Sequence, residues 1–229
     1  MKIGIVCAGD REVEPFLHIL KEEQVVMKAM LKFHIGKIND HEIVTLFCGA
    51  CKVNAAIATQ IMIDTFKVDM VINAGVAGGI DPGIKIFDTV VSTEVAYHDV
   101  AEEVLTHFHP WMDSEWFFAD DDLLKTSKTA LKDMRTDGQI YWGRMVTGEA
   151  FIEDDGRQEI IDRYDPMSVD METGSIAHVC YVNEIPFIAI RSITDTADHS
   201  GEEFFEKNCV KAAEIARDVT VKFIETLQK

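Results

Sequence analysis

Positive charge is scarce in this 229-residue sequence: 22 Lys and Arg face 40 Asp and Glu, a formal net charge of −18. That balance argues against nucleic acid or an anionic membrane bound through a broad basic surface. It says little about a small neutral ligand held by local groups. No apolar run approaches the length that spans a bilayer. The first apolar stretch is cut by Asp10-Arg11-Glu12 before a leader core forms, so the expectation is a cytoplasmic chain. Cysteine is sparse and odd in number, with five dispersed residues that read as reduced thiols. One CxxC, Cys48-Gly49-Ala50-Cys51, lacks the second ligand pair that a zinc site wants. It reads as a loop, with a redox dithiol as the minor reading. His107 and His109 form a His-x-His pair beside Pro110 with no certain third ligand, so neither metal nor cofactor is expected. A GxGxxG fingerprint is also missing, which sets aside a dinucleotide-binding domain. With no repeat, linker or low-complexity segment, residues 1–229 read as a single domain.

What is present alternates short branched runs with helical periodicity, the signature of an α/β protein. Lys2 to Ala8 reads as a strand, and Asp10 as the cap of a helix with Pro15 near its first turn. Residues 25–49 read as strands around an Asn39-Asp40 turn, and Lys52 to Phe66 as a helix rich in small residues. Val68 to Ala74 is a central strand running into Gly75-Val76-Ala77-Gly78-Gly79, read as a glycine-rich turn that lets backbone approach a ligand closely. Asp88–Tyr97 and Gln139–Thr147 read as strands, Asp120–Arg135 and Glu159–Tyr164 as helices, and Gly201–Gln228 as a long surface helix. The aromatic-rich residues 98–119, with Trp111 and Trp116, have no regular period; they either cover a substrate or form a dimer contact.

The densest signal lies between Ser168 and Asp198, read as a helix followed by the buried strand PFIAI. Asp170, Glu172, Arg191, Asp195 and Asp198 bracket this most apolar part of the sequence. An open parallel sheet places its site at the carboxyl ends of its strands. A carboxylate there is as often a helix cap or an ion-pair partner; several together shift the balance toward chemistry.

VDMETGSIAHVC followed by RSITDTAD resembles the nucleoside phosphorylase and nucleosidase superfamily, in particular its branch that hydrolyses 5'-methylthioadenosine and S-adenosylhomocysteine. MKIGIVCAGDREVE, CGACKVNAA, INAGVAGGIDPGIKIFDTVVS, AYHD and TGEAFI agree with that family in order, across nearly the full length. The resemblance implies a three-layer α/β/α fold around a mixed, partly curled sheet. It implies a small-molecule nucleoside substrate and a homodimer in which the segment after AYHD closes a partner's site. Carried over residue by residue, it makes Glu12 the general base on water and Asp195 the general acid on purine N7. Glu172 would accept the ribose hydroxyls, Met171 pack under the sugar and Arg191 lie near the nucleophile. Phe151 would stack on adenine, the backbone of Ile152 bond its edge, and Val76, Ala77 and Gly78 line the substrate. Taken by themselves, Ala150-Phe151-Ile152 would be ordinary core, and Met171-Glu172 core plus cap.

Two carboxylates on opposite sides of a glycosidic bond suit acid–base hydrolysis. Phosphorolysis would need cations for phosphate. The position where phosphorylases carry an arginine before the glycine stretch holds Asn73, and Arg11 is adjoined by Glu12 and Glu14. Water is therefore the expected nucleophile; a purine nucleoside phosphorylase and a non-catalytic binding protein are the rival classes. Gly9, Ala50-Cys51, Val76 and residues 100–118 depart from the family pattern on the 5' side. Methylthio, homocysteinyl, 5'-deoxy and aminofutalosine-type substituents all stay open.

Overall fold

A computed structural model of the chain describes residues 1–108, 112–153 and 156–227. His109, Pro110, Trp111 and Gln228 of the sequence reading lie outside them. The first strand, β1 (Lys2–Cys7), is buried along nearly its whole length, as a short apolar run between two layers must be. Alternate residues serve opposite faces: Ile3, Ile5 and Cys7 enter one core, Val6 the other. It is followed by α1 (Asp10–Leu17), the hairpin strands β2 (Lys21–Lys28) and β3 (Leu31–Ile38), β4 (His41–Phe47) and α2 (Lys52–Phe66). Then come β5 (Met70–Gly79), β6 (Thr89–Tyr97), α3 (Val104–Phe108), β7 (Trp116–Phe118), α4 (Asp121–Leu131), β8 (Ile140–Thr147) and α5 (Arg157–Tyr164). The chain ends with β9 (Ser168–Asp170), α6 (Thr173–Val182), β10 (Phe187–Asp195) and α7 (Glu202–Ile224).

The strands form one 10-stranded sheet in the order β10-β6-β8-β9-β5-β1-β4-β3-β2, with β7 beside β6. A further pairing of β10 with β5 joins the start of that path to its middle. The sheet is thus curled into a closed ring over β5, β9, β8, β6 and β10, with an open wing running from β1 to β2. Parallel and antiparallel pairs mix, for β10 runs parallel to β5 and antiparallel to β6. Helices α2 and α6 pack on one core, which contains Ala55, Ala58, Met62, Ile176 and Cys180. Helices α1, α4 and α7 cover the other with Val13, Phe16, Leu123, Ile215, Val219 and Phe223. The three-layer α/β/α reading with a mixed, curled sheet holds.

Five local readings change. The N-cap of α1 is Gly9, not Asp10, whose carboxylate accepts the N–H of the adjacent Arg11. Glu12 reaches back to the Gly9 N–H, the half of a capping box that a glycine cap allows. Gly75 to Gly79 is not a turn; it is the extended end of β5, kept straight by β10 on one flank and β9 on the other. Ser168–Asp170 precedes its helix as a strand that completes the ring between β5 and β8. The irregular region after Tyr97 contains the short α3 and β7. On α7, Cys209, Ala212, Ala216, Val219 and Phe223 are buried at helical spacing, so one face of this long helix is core.

Candidate active site

Two central strands end together. β10 and β5 run parallel in the register Arg191↔Gly75, Ser192↔Val76, Ile193↔Ala77, and then slip so that Asp195 faces Gly78. The slip leaves Thr194 as the extra residue of a bulge, a device that re-aims the following side chain. Asp195 is consequently turned toward a cavity of about 680 Å³ that opens where β1, β5 and β10 finish. The ten residues to which the resemblance gives a role all line it: Glu12, Val76, Ala77, Gly78, Phe151, Ile152, Met171, Glu172, Arg191 and Asp195; of the other carboxylates singled out, Asp170 lines it and Asp198 does not.

Asp195 is 1% exposed. Its Oδ1 accepts the Thr194 hydroxyl at 2.7 Å, while Oδ2 is buried with no hydrogen-bond partner among the described residues. Burial raises its pKa, against the opposing pull of Thr194 and Arg157. This carboxyl, in the wall of the cavity, is thus dry, accepts on one oxygen and has the other without a partner among the described residues, an environment that favours its protonated form. Gly78 lies directly against that oxygen, where a Cβ would sit 3.2 Å from it.

Glu12 is the opposite kind of carboxylate. Its Oε2 accepts the N–H groups of Ala8 at 2.5 Å and Gly9 at 2.8 Å, and its Oε1 the N–H of Val76 at 2.6 Å. Arg191 Nη1 stands 3.7 Å from Oε1. Backbone amides thus fix both oxygens, and the glycine at 75 makes the approach possible. A Cβ there would lie 2.2 Å from Glu12 Oε1 and 2.9 Å from Arg191 Nη1.

Arg191, wholly buried, is the hub of the floor, with Asp170 at 3.3 Å and Glu172 at 3.5 Å besides Glu12. Glu172, just before α6, accepts the Cys51 N–H at 2.9 Å. Burial, and then the charge of Asp170, push its pKa up to about 7, against the pull of Arg191. Asp170 is held by the Thr147 hydroxyl at 2.6 Å, by the Glu172 and Thr173 N–H groups, and by the Thr173 hydroxyl. Cys51 therefore matters through its backbone, at a φ of 79°. All five cysteines are free thiols, and burial raises the pKa of Cys48, to which Glu172 and Glu12 add.

Phe151 and Ile152 lie on the loop after β8. That loop is anchored by Arg157, which donates to the Glu153 carbonyl at 2.9 Å, the Ile152 carbonyl at 3.5 Å and the Gly79 carbonyl at 2.7 Å. Phe151 is 44% exposed and meets Phe205 of α7 edge to face, their centroids 6.2 Å apart. Phe205, Glu206, Phe47, Thr194 and Cys209 line the cavity without having been singled out. The signal for Phe205 was its helical spacing to Cys209, which reads as core. Asn73 donates to the Val6 carbonyl at 2.9 Å, and its amide oxygen lies 2.5 Å from the Thr173 hydroxyl, whose one proton it shares with Asp170, so it braces the strands and does not line the cavity.

Comparison with known proteins places this geometry. Residues 2–225 match the Phosphorylase superfamily model. A 5'-methylthioadenosine/S-adenosylhomocysteine nucleosidase of Exiguobacterium sp. is 37% identical over 96% of this chain and 97% of its own. The crystal structure of such a nucleosidase from Colwellia psychrerythraea, in complex with adenine, superposes with a TM-score of 0.91 at 32% identity, covering 99% of this chain and 96% of that one. Futalosine hydrolase of Helicobacter pylori superposes with a TM-score of 0.90 at 25% identity over 99% of this chain and 98% of its own.

Proposed function

The chain belongs to the phosphorylase superfamily and is an N-glycosyl hydrolase of its 5'-methylthioadenosine/S-adenosylhomocysteine nucleosidase branch, and we propose that Asp195 and Glu12 are its acid and base. The observation that carries this division of labour is the contrast between the two carboxyls of one cavity. Asp195 has a buried, unbonded oxygen and a raised pKa; Glu12 has both oxygens committed to N–H donors. Asp195 donates to N7 of the leaving adenine, so that the purine departs neutral. Glu12 takes a proton from water attacking C1' on the opposite face, and the charge on the ribose is relieved as the new bond forms. Glu172 accepts the ribose hydroxyls, Met171 packs beneath the sugar, and Arg191 holds the floor carboxylates in register. Phe151 and Ile152 receive the base against the backbone of Val76, Ala77 and Gly78.

Water is the nucleophile in this reading because neither cation lining the cavity suits a phosphate dianion. Arg191 faces three carboxylates, and Arg11, paired with Glu206, stands at a rim that Asp10, Glu202 and Glu206 also line, a field of negative charge that repels a dianion. Asn73 has both ends spent on the protein. The chain acts as a homodimer, a reading supported by Val53, Ile57, Tyr181 and Val182, which leave an apolar surface exposed on α2 and α6. Among the described residues no helix is long and apolar enough to cross a membrane. The test is adenine release from 5'-methylthioadenosine with and without phosphate. Free adenine and free sugar at equal rates support the reading; release only with phosphate, yielding a sugar 1-phosphate, overturns it.

A further inference from the structure

We infer that Arg11 and Glu206 form a two-pole clamp at the cavity rim for the zwitterionic α-amino-acid end of a 5'-thioether substituent. The inference rests on the nucleosidase reading above and assigns its 5' specificity. The cavity is lined by two cations only among the described residues, Arg191 and Arg11. Arg191 is sealed in the floor by three carboxylates. Arg11, with its side chain 34% exposed, is thus the one cation that a substituent leaving the cavity can reach.

Its position is fixed on both sides. The guanidinium lies 5.3 Å from the Phe205 ring centroid, and its Nη1 and Nη2 each donate to Glu206 at 2.7 Å. A bidentate pair uses two of the five guanidinium N–H groups, so the others stay available to a second carboxylate. Glu206, 52% exposed, keeps lone pairs for an ammonium group, and Asp10 and Glu202 beside it line the same cavity. The rim therefore offers one cation within a field of carboxylates. An α-amino acid matches it, with carboxylate on Arg11 and ammonium on Glu206. A lone carboxylate on an aryl group meets the same cation but is repelled by its neighbours.

The placement agrees with the chemistry of the site. C1' must lie between Glu12 and Asp195, with the base at the buried Asp195 end. The 5' carbon, on the far side of the ring, then leads toward the rim next to Glu12, where Arg11 begins.

The test is the ratio of kcat/KM for S-adenosylhomocysteine to that for 5'-methylthioadenosine, in the full chain and in Arg11→Met, which keeps an apolar stem on Phe205. The ratio falls about tenfold in the variant, as expected for one exposed charge-assisted contact, with the change in KM for S-adenosylhomocysteine. Raising salt lowers the ratio in the unsubstituted chain and not in the variant. Glu206→Gln lowers it too, and a 5'-thioether ending in a carboxylate without the amine gains nothing over methylthio. An unchanged ratio in Arg11→Met, or equal losses on both substrates, overturns the clamp while leaving the nucleosidase reading intact. An unsubstituted chain that releases adenine from neither substrate overturns that reading, and the clamp with it.

Discussion

Replacing Asp195 by Asn separates proton donation from everything else that this side chain does. The amide oxygen can take the place of Oδ1 and keep the 2.7 Å bond from Thr194. The amide nitrogen then replaces Oδ2, which has no hydrogen-bond partner to lose. Shape, burial and the bulge at the end of β10 are conserved, so stability should change by less than about 1 kcal/mol. What disappears is a proton that can be transferred. General acids supply roughly 10²–10⁴ in rate, or about 3–5 kcal/mol of barrier. Initial rates of adenine release from 5'-methylthioadenosine should therefore fall by that factor in kcat, with far-UV circular dichroism and the melting temperature unchanged. The pH profile supplies a second readout. In the proposed mechanism the protonated form of Asp195 is the active one, and its pKa is raised by burial. Turnover by the unsubstituted enzyme is lost as pH rises through that pKa, and the residual turnover of Asp195→Asn lacks this limb. A variant within about threefold of the unsubstituted rate would refute the assignment of Asp195 as acid.

Gly75→Ala puts a methyl group where Glu12 Oε1 and Arg191 Nη1 already stand, and should cost activity well beyond tenfold and lower the melting temperature; crystallography of the variant should find Glu12 displaced. Glu172 links stability to pH. Its folded pKa of about 7 exceeds the ordinary 4.5, so the folded state holds this proton longer than the unfolded one. Stability should fall as pH rises from about 4.5 to about 7, by a few kcal/mol, and level off above. Urea unfolding across that window should show the slope, and Glu172→Gln should remove it.

The fold was legible where one physical cause dominates. Runs such as Lys2–Cys7 and Phe187–Ile190 are too apolar to be anything but central strands, and Lys52–Phe66 has the small residues that a tightly packed helix needs. Gly4 shows how tight: a Cβ there would lie 2.2 Å from Met62 of that helix. The readings that changed depend on pairing, which spacing does not encode. Gly75 to Gly79 reads as a turn by composition, yet two flanking strands hold it extended. Ser168–Asp170 is a strand only because β5 and β8 both end beside it. Within the site, the carboxylates were identifiable from motif order, but their different environments were not. Whether a given oxygen is held by amides or left bare depends on the slip at Thr194 and on the fold of residues 8–12. Phe205 and Glu206 lie on a helix whose buried face masks the fact that its first turn borders the cavity.

The anchoring of the loop after β8 has a consequence for how this protein can change. Among the described residues, Arg157 grips that loop through the carbonyl oxygens of Ile152 and Glu153 and ties it to the Gly79 carbonyl of β5. A carbonyl is the same whatever side chain its residue carries, so the grip is blind to the identity of the residues that it holds. Mutation can exchange the ring at 151 or the group at 152 while the loop stays seated. A lineage, or an engineer, can explore new ligands at these positions one substitution at a time, without passing through a variant whose loop has come loose.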